Sequence, residues 1–456
     1  MQSAGRCKKN RSWITHNYTC MKFGLSLFDA FVTLLLLLVF PALLMMTRGG
    51  NAGFYLLLVC ALVHVFLVRR HRIPFKDLMR RYWYVHLGMA ALFIATVIGA
   101  GFNGFNSPKV FDEPSRLAVF PLVLWMLLSL SPRQVKVAQA GYVLGAIVGA
   151  VLIFVATKGG ENRNNIHGAP IIVFSNIVLL LGMLSVATST SSQSESWPWR
   201  VLRIVAALAG MYASYLSQAR GSWIAIPFLG LFASYLWQPN KRYVTTVVAA
   251  VLLTGALVLA WSSPMVKSRF LQVETETASF RSGTDLDTSL GTRFQLWHGS
   301  MVLFTEHPLL GVGPGKFTAG LRELKERKII TPAAASGFYH SHNDVLFNMS
   351  TMGLLGLLAI LMTYLAPAVL FWRYLRHEDA CLRRYAGGGV MLVMGYVIFG
   401  LTDCFFWGLS YTFYCIAVAT LAAPLIQSTL QQRAATRQGS ARDAADSRPS
   451  GALANT

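Results

Sequence analysis

Residues 338–360 read Phe338-Tyr339-His340-Ser341-His342-Asn343-Asp344-Val345-Leu346-Phe347-Asn348-Met349-Ser350-Thr351-Met352-Gly353-Leu354-Leu355-Gly356-Leu357-Leu358-Ala359-Ile360. A long polar interval, 262–341, ends here and apolar sequence resumes. A histidine kept at the wet end of a membrane helix, in a chain otherwise suited to lipid, marks the place where chemistry is expected.

Working outward, the apolar character is general. Of 456 residues, 54% are hydrophobic and 13% charged, with a mean hydropathy of +0.49. That balance excludes an ordinary soluble domain and predicts an all-α polytopic membrane protein. Stretches able to cross a hydrocarbon core of about 30 Å fall at 24–46, 53–68, 84–102, 117–131, 138–157, 171–189, 201–219, 222–238, 244–261, 350–372, 387–404 and 411–427, about twelve in all. The first follows a basic segment (Lys8, Lys9, Arg11, Lys22), yet its apolar run is too long for a signal peptide and no small-residue cleavage site follows it. It reads as a retained helix.

Basic residues mark the even-numbered connections: Arg69, Arg70, Arg72, Lys76, Arg80 and Arg81 in the second, Arg133 and Lys136 in the fourth, Arg200 in the sixth, Lys241 and Arg242 in the eighth, and Arg373, Arg376, Arg383 and Arg384 in the tenth. By the positive-inside tendency these are cytoplasmic, so both termini are cytoplasmic and the 262–341 insertion faces outward. Cytoplasmic anchoring explains much of the net charge of +21. The outward connections nevertheless keep Lys109, Arg116, Lys158, Arg163, Lys267, Arg269, Arg293, Lys316 and Arg322. Such residues favour an anionic lipid or lipid-linked partner on the outer side over nucleic acid.

The expected organisation is 1–261 with nine spans, 262–341 as an outer helical loop domain, 342–427 with three further spans, and a polar tail, 428–456, whose composition predicts disorder. Within the insertion, apolar spacing predicts a helix over 294–305, a turn at Gly311-Val312-Gly313-Pro314-Gly315, and an amphipathic helix over 316–331. None of the six cysteines lies in the insertion, so packing on the helices must order it.

Four positions carry the candidate chemistry. Arg220, in the tight outward turn Ser217-Gln218-Ala219-Arg220-Gly221-Ser222, is either a snorkelling anchor or a guanidinium fixed for phosphate. Arg293 opens the predicted loop helix, where it is either a solvated surface residue or a phosphate ligand aided by free backbone amides. His342 precedes a helix whose N-terminus disfavours positive charge, which suits a neutral proton acceptor, although a hydrogen-bonding interfacial role is equally open; His340 is its rival or its orienting neighbour. Asp403, near the outer end of the eleventh span, needs a partner, and Arg220 is the obvious candidate.

No metal and no cofactor are expected. Two histidines and one aspartate are a poor match for Mg²⁺ or Ca²⁺ without a paired-carboxylate cluster. The sequence has no Walker loop, dinucleotide fingerprint or nucleophile elbow, which disfavours an ATP-driven pump.

Taken together and in order, Arg220-Gly221-Ser222, Thr292-Arg293-Phe294-Gln295-Leu296-Trp297, His307-Pro308-Leu309-Leu310-Gly311-Val312-Gly313-Pro314-Gly315-Lys316-Phe317, His340-Ser341-His342-Asn343-Asp344-Val345-Leu346 and Gly353-Leu354-Leu355-Gly356 resemble the O-antigen ligase and polymerase superfamily over roughly 210–360. The resemblance implies a fold like that of the GT-C membrane glycosyltransferases. It also implies a metal-independent, inverting transfer of O-antigen from undecaprenyl diphosphate to lipid A-core, on the periplasmic face of a Gram-negative inner membrane. His342 matches the family's essential histidine, and Arg220 and Arg293 match its two essential arginines. His340, Asn343, Lys316, Asp403 and Trp297 become candidates for substrate contact. Many relatives carry an aromatic residue and a Glu after the His-Asn pair, where this chain has Asp344-Val345 and Ser350-Thr351. An O-antigen polymerase, a protein O-oligosaccharyltransferase and, from another class, a lipid-linked glycan transporter are the alternatives.

Overall fold

Long apolar runs form helices because a segment in lipid must satisfy its backbone polar groups internally. A computed structural model describes residues 27–45, 49–67, 74–162, 165, 166, 168–189, 195–237, 247, 254 and 261–446. These are helical without a β-strand; one isolated bridge joins Ile166 and Ala169. Among the described residues, six helices are long and apolar enough to cross a membrane: Leu27–Met45, Trp83–Asn103, Gln134–Thr157, Asp344–Trp372, Ala380–Thr402 and Leu409–Leu430. Ala52–Val65 and Ile171–Ala187 are shorter apolar helices. The chain is a polytopic membrane protein. The N-terminal basic segment, Cys7, Cys20, Arg69, Arg70, Arg72, Arg163, Lys241, Arg242 and nearly all of span 244–261 lie outside the described residues.

Two expectations are corrected. The stretch 117–131 is not one helix but two short ones, Asp112–Ala118 and Phe120–Leu127. Pro121 lacks an N–H and starts a new helix instead of continuing the old one. In the tail, helix continues from Leu409 to Asp446 through much of the stretch expected to be disordered. Its polarity misled, because the Ala, Gln and Arg that fill 430–446 are strong helix formers.

The outer insertion has a hydrophobic centre of its own. Leu296 and Leu303, on the Ser289–Glu306 helix, pack with Phe317, Leu321 and Leu324 of the Phe317–Glu326 helix and with Ile330, Ala334 and Ala335. A further helix, Pro264–Ser282, precedes them. Its mean hydropathy gave no periodic signal, but its ends are marked in sequence: Ser263 then Pro264 at the start, and Gly283 in the left-handed conformation (φ 71°) at the end.

The insertion is locked to the membrane helices at a break in one of them. Gly353 interrupts Asp344–Trp372 with φ 62° and ψ −148°, a region reserved to glycine. Backbone groups near the break bond to the 307–315 turn: Leu354 N–H donates to Pro308 O at 2.7 Å, while Val312 N–H and Gly313 N–H donate to Ser350 O and Thr351 O at 3.0 and 2.9 Å. Asn103, ending the Trp83–Asn103 helix, clamps the same turn by donating to Leu310 O and Gly311 O at 3.1 and 3.0 Å. A Cβ at Gly353 would overlap the Leu309 backbone. Gly353→Ala should therefore destabilise the protein by more than the roughly 1–3 kcal/mol of backbone strain alone, read as a lowered thermal unfolding midpoint in detergent. An unchanged midpoint would contradict this interlock.

Candidate active site

The turn before the Asp344–Trp372 helix holds its shape through short polar contacts. Asn343 is the N-cap: its Oδ1 accepts from Leu346 N–H at 3.0 Å, and its Nδ2 donates to Leu401 O at 3.1 Å. Both ends of that amide are engaged in holding the helix start. Buried Ser341 donates to Asn343 O at 2.9 Å. His342 takes the left-handed conformation, φ 53°, which is uncommon outside glycine, and this turns its ring away from the helix.

The ring meets Asp403. His342 Nδ1 lies 2.7 Å from Asp403 Oδ1, with side-chain exposures of 19% and 8%. Asp403 caps the Ala380–Thr402 helix, and Cys404 N–H donates to its Oδ1 at 2.9 Å. Burial alone would raise the Asp403 carboxyl; the His342 hydrogen bond and the positive potential of His342, His340 and Arg293 outweigh it and hold the group below its ordinary value. An ionised carboxylate only accepts, so Nδ1 carries a proton, and in the neutral ring Nε2 holds the lone pair. Nε2 has no hydrogen-bond partner among the described residues.

His340 stands behind. Its ring is edge-on to His342 at 4.6 Å and to Trp407 at 5.0 Å, and its Nδ1 accepts from His342 N–H at 3.3 Å. Burial pushes its pKa down to about 4, with Asp403 opposing. Ligand atoms of His340, His342 and Asp403 lie within 4.8 Å of one another, a set that can be pictured holding a metal ion. In this arrangement the His342 Nδ1 and the Asp403 carboxylate are already committed to each other.

The arginines complete the site. Arg293 is half-buried and has no hydrogen-bond partner among the described residues. Burial lowers its pKa, Asp403 opposes, and Arg220 lowers it further, so its guanidinium lies within electrostatic range of both the dyad and the second arginine. It remains charged. The Ser289–Glu306 helix begins four residues earlier and Thr288 caps it, accepting from Gly291 N–H at 3.1 Å; Arg293 therefore lies beyond the first turn, and the expected contribution of free helix-end amides is withdrawn. Arg220 begins the Arg220–Trp237 helix, and Gly221 beside it leaves no room for a Cβ against Thr402, which brings this turn close to Asp403.

The expected Arg220–Asp403 pair is not formed. Arg220 Nη1 is 3.8 Å from Glu276 Oε2, and Nη2 donates to Gln272 Oε1 at 3.4 Å. Both partners sit on the Pro264–Ser282 helix that sequence reading passed over. Both contacts are long, and they leave the guanidinium weakly held. Trp297, one turn beyond Arg293, has a buried indole N–H without a partner. Lys316 stands apart, its ammonium on the Asn103 carbonyl.

Residues 204–361 match the sequence model of the O-antigen ligase family. That segment is similar to the O-antigen ligase family. The chain is 21% identical over 319 residues to the O-antigen ligase of Escherichia coli K12, covering 69% of this chain and 72% of the relative. It is 22% identical over 385 residues to an uncharacterised Haemophilus influenzae protein, covering 82% of this chain and 93% of that one. The matched segment contains Arg220, Arg293, His340 and His342, while Asp403 comes from beyond its C-terminal boundary.

Proposed function

We propose that this protein transfers O-antigen from undecaprenyl diphosphate to a hydroxyl of lipid A-core, at the periplasmic face of a Gram-negative inner membrane. A twelve-helix, GT-C-like arrangement with cytoplasmic termini agrees with the loop charges and gives the insertion access to both lipid-linked substrates. The observation that carries the reading is the His342–Asp403 pair at 2.7 Å, set beside an unpartnered Arg293. The match of residues 204–361 to the O-antigen ligase family supports a ligase- or polymerase-type role.

In the proposed reaction Arg293 and Arg220 hold the diphosphate, each with a planar fork suited to two phosphate oxygens. His342 Nε2 takes the proton of the acceptor hydroxyl as its oxygen attacks the anomeric carbon. The bond from that carbon to the phosphate oxygen breaks on the opposite face, inverting the centre, and its electron pair leaves with the diphosphate. The arginines neutralise the developing charge, so no general acid is needed. Asp403 keeps Nδ1 protonated and stabilises the imidazolium that forms. His340 and Trp407 position the ring.

With positive charge supplied by arginine, purified protein given undecaprenyl diphosphate-linked O-antigen and lipid A-core should lose no rate in EDTA. Activity lost in EDTA and restored by Mg²⁺ would contradict the mechanism. A transporter would move lipid-linked glycan across proteoliposomes and join nothing to the acceptor.

A further inference from the structure

Beside the dyad, past Trp407, lies a cavity of about 330 Å³ that none of the roles above uses. Its size falls at the lower end of small-molecule sites, about 300–1,000 Å³. Trp407 and Phe347 form part of its wall, and Trp407 also touches the His340 ring at 5.0 Å, so the cavity adjoins the reacting centre through two side chains.

The lining has a definite hydrogen-bonding sense. Thr96, Thr351 and Thr318 donate their hydroxyls to the carbonyls of Leu92, Phe347 and Phe338, at 2.8, 2.7 and 3.3 Å. Asn348 donates its Nδ2 to Asp344 O at 2.7 Å. The three threonines have spent their hydroxyl donors on the backbone and keep lone pairs for a ligand, while Asn348 keeps its Oδ1 as an acceptor and one N–H. Glu113 adds a carboxyl group whose pKa burial raises, against the opposing backbone hydrogen bond from Gly408 and the charge of Arg116. Around these acceptors stand aromatic faces, Trp407, Phe347 and the exposed Tyr339. One cation, Lys109, lines the cavity beside Glu113, and no arginine does.

This combination selects among ligands. A phosphate would find only the Lys109 point charge, with the Glu113 carboxyl in the same wall and no planar guanidinium fork. A prenyl chain would strand Glu113, Asn348 and three threonines without water, at a cost for each. A pyranose fits, because its C–H face packs on an aromatic ring while its rim of hydroxyls donates to acceptors.

We propose that this cavity is a subsite for a neutral sugar ring of the acceptor glycan, seated on Trp407 with hydroxyls donated to Glu113 and Asn348. The assignment to the acceptor rests on the transferase reading, in which the arginines claim the donor.

The test uses the full chain in lipid nanodiscs, titrated calorimetrically with core oligosaccharide freed from lipid A, without donor. Glu113→Gln removes the charged acceptor; Thr318→Trp fills the cavity and leaves the other polar groups in place. Each should weaken oligosaccharide binding at least about tenfold, as expected for a lost hydrogen bond to a charged group. The KM for lipid A-core should rise in step, with donor affinity unchanged. Unchanged oligosaccharide affinity in both variants, with transfer intact, overturns the subsite and spares the transferase reading. Binding of undecaprenyl phosphate that is blocked by Thr318→Trp, with no oligosaccharide binding, overturns it in favour of a lipid-chain pocket. Glu113-dependent oligosaccharide binding in a protein that transfers nothing supports the sugar site and refutes the transferase reading.

Discussion

His342→Ala should bind donor as the wild type does and lose glycan transfer, with kcat lowered by about 10²–10⁴, the usual contribution of a positioned general base. The expectation follows from geometry: Asp403 fixes the proton on Nδ1 at 2.7 Å and leaves Nε2 as the basic atom. His340 cannot substitute without rearrangement, because its Nδ1 accepts from the His342 backbone and its ring is packed against Trp407. With a pKa near 4 it also stays neutral through the working range. Replacing His340 by Gln should therefore lower the rate but leave the acid limb of the pH–kcat profile in place. Loss of that limb with His340 would reassign the base. Full turnover in His342→Ala would remove acid–base chemistry from this ring altogether.

Arg293→Ala should cost about 10²–10³ in kcat/KM for the donor, comparable to deleting one donor from a charge-stabilising site. Arg293 is half-buried, has no hydrogen-bond partner among the described residues and lies within range of both Asp403 and Arg220. Its removal leaves no carboxylate unpaired, so the protein should fold normally and the defect should appear in donor handling. Lysine should rescue only in part, since a point charge lacks the planar fork that spans two phosphate oxygens. Normal donor kinetics in Arg293→Ala, measured beside an unchanged thermal unfolding curve, would detach this residue from the diphosphate.

The parts of this arrangement legible in sequence were those with a local signature. Apolar runs located the helices of membrane-spanning length, and the order of Arg220, Arg293 and His342 among their flanking motifs pointed to the O-antigen ligase resemblance before any geometry. Partnerships between distant residues were not legible. Asp403 is a lone carboxylate at a helix end in sequence, and only folding brings it to His342, 61 residues away. Glu276 escaped because the apolar residues of Pro264–Ser282, such as Val266, Phe270, Leu271 and Phe280, are scattered among polar ones without a helical period, although its Ser-Pro start and Gly end were in view. The break at Gly353 was hidden in the same way, since an unbroken apolar run carries no mark of a backbone that leaves the helix to pair with the 307–315 turn.

The most direct measurement of the central claim is a transfer assay with purified protein, undecaprenyl diphosphate-linked O-antigen and a panel of acceptors: lipid A-core, a second lipid-linked O-antigen unit, and a Ser- or Thr-containing protein. The account expects O-antigen on lipid A-core alone, formed by the wild type and not by His342→Ala. Lengthened lipid-linked chains, glycosylated protein, or an equal yield from His342→Ala would contradict it.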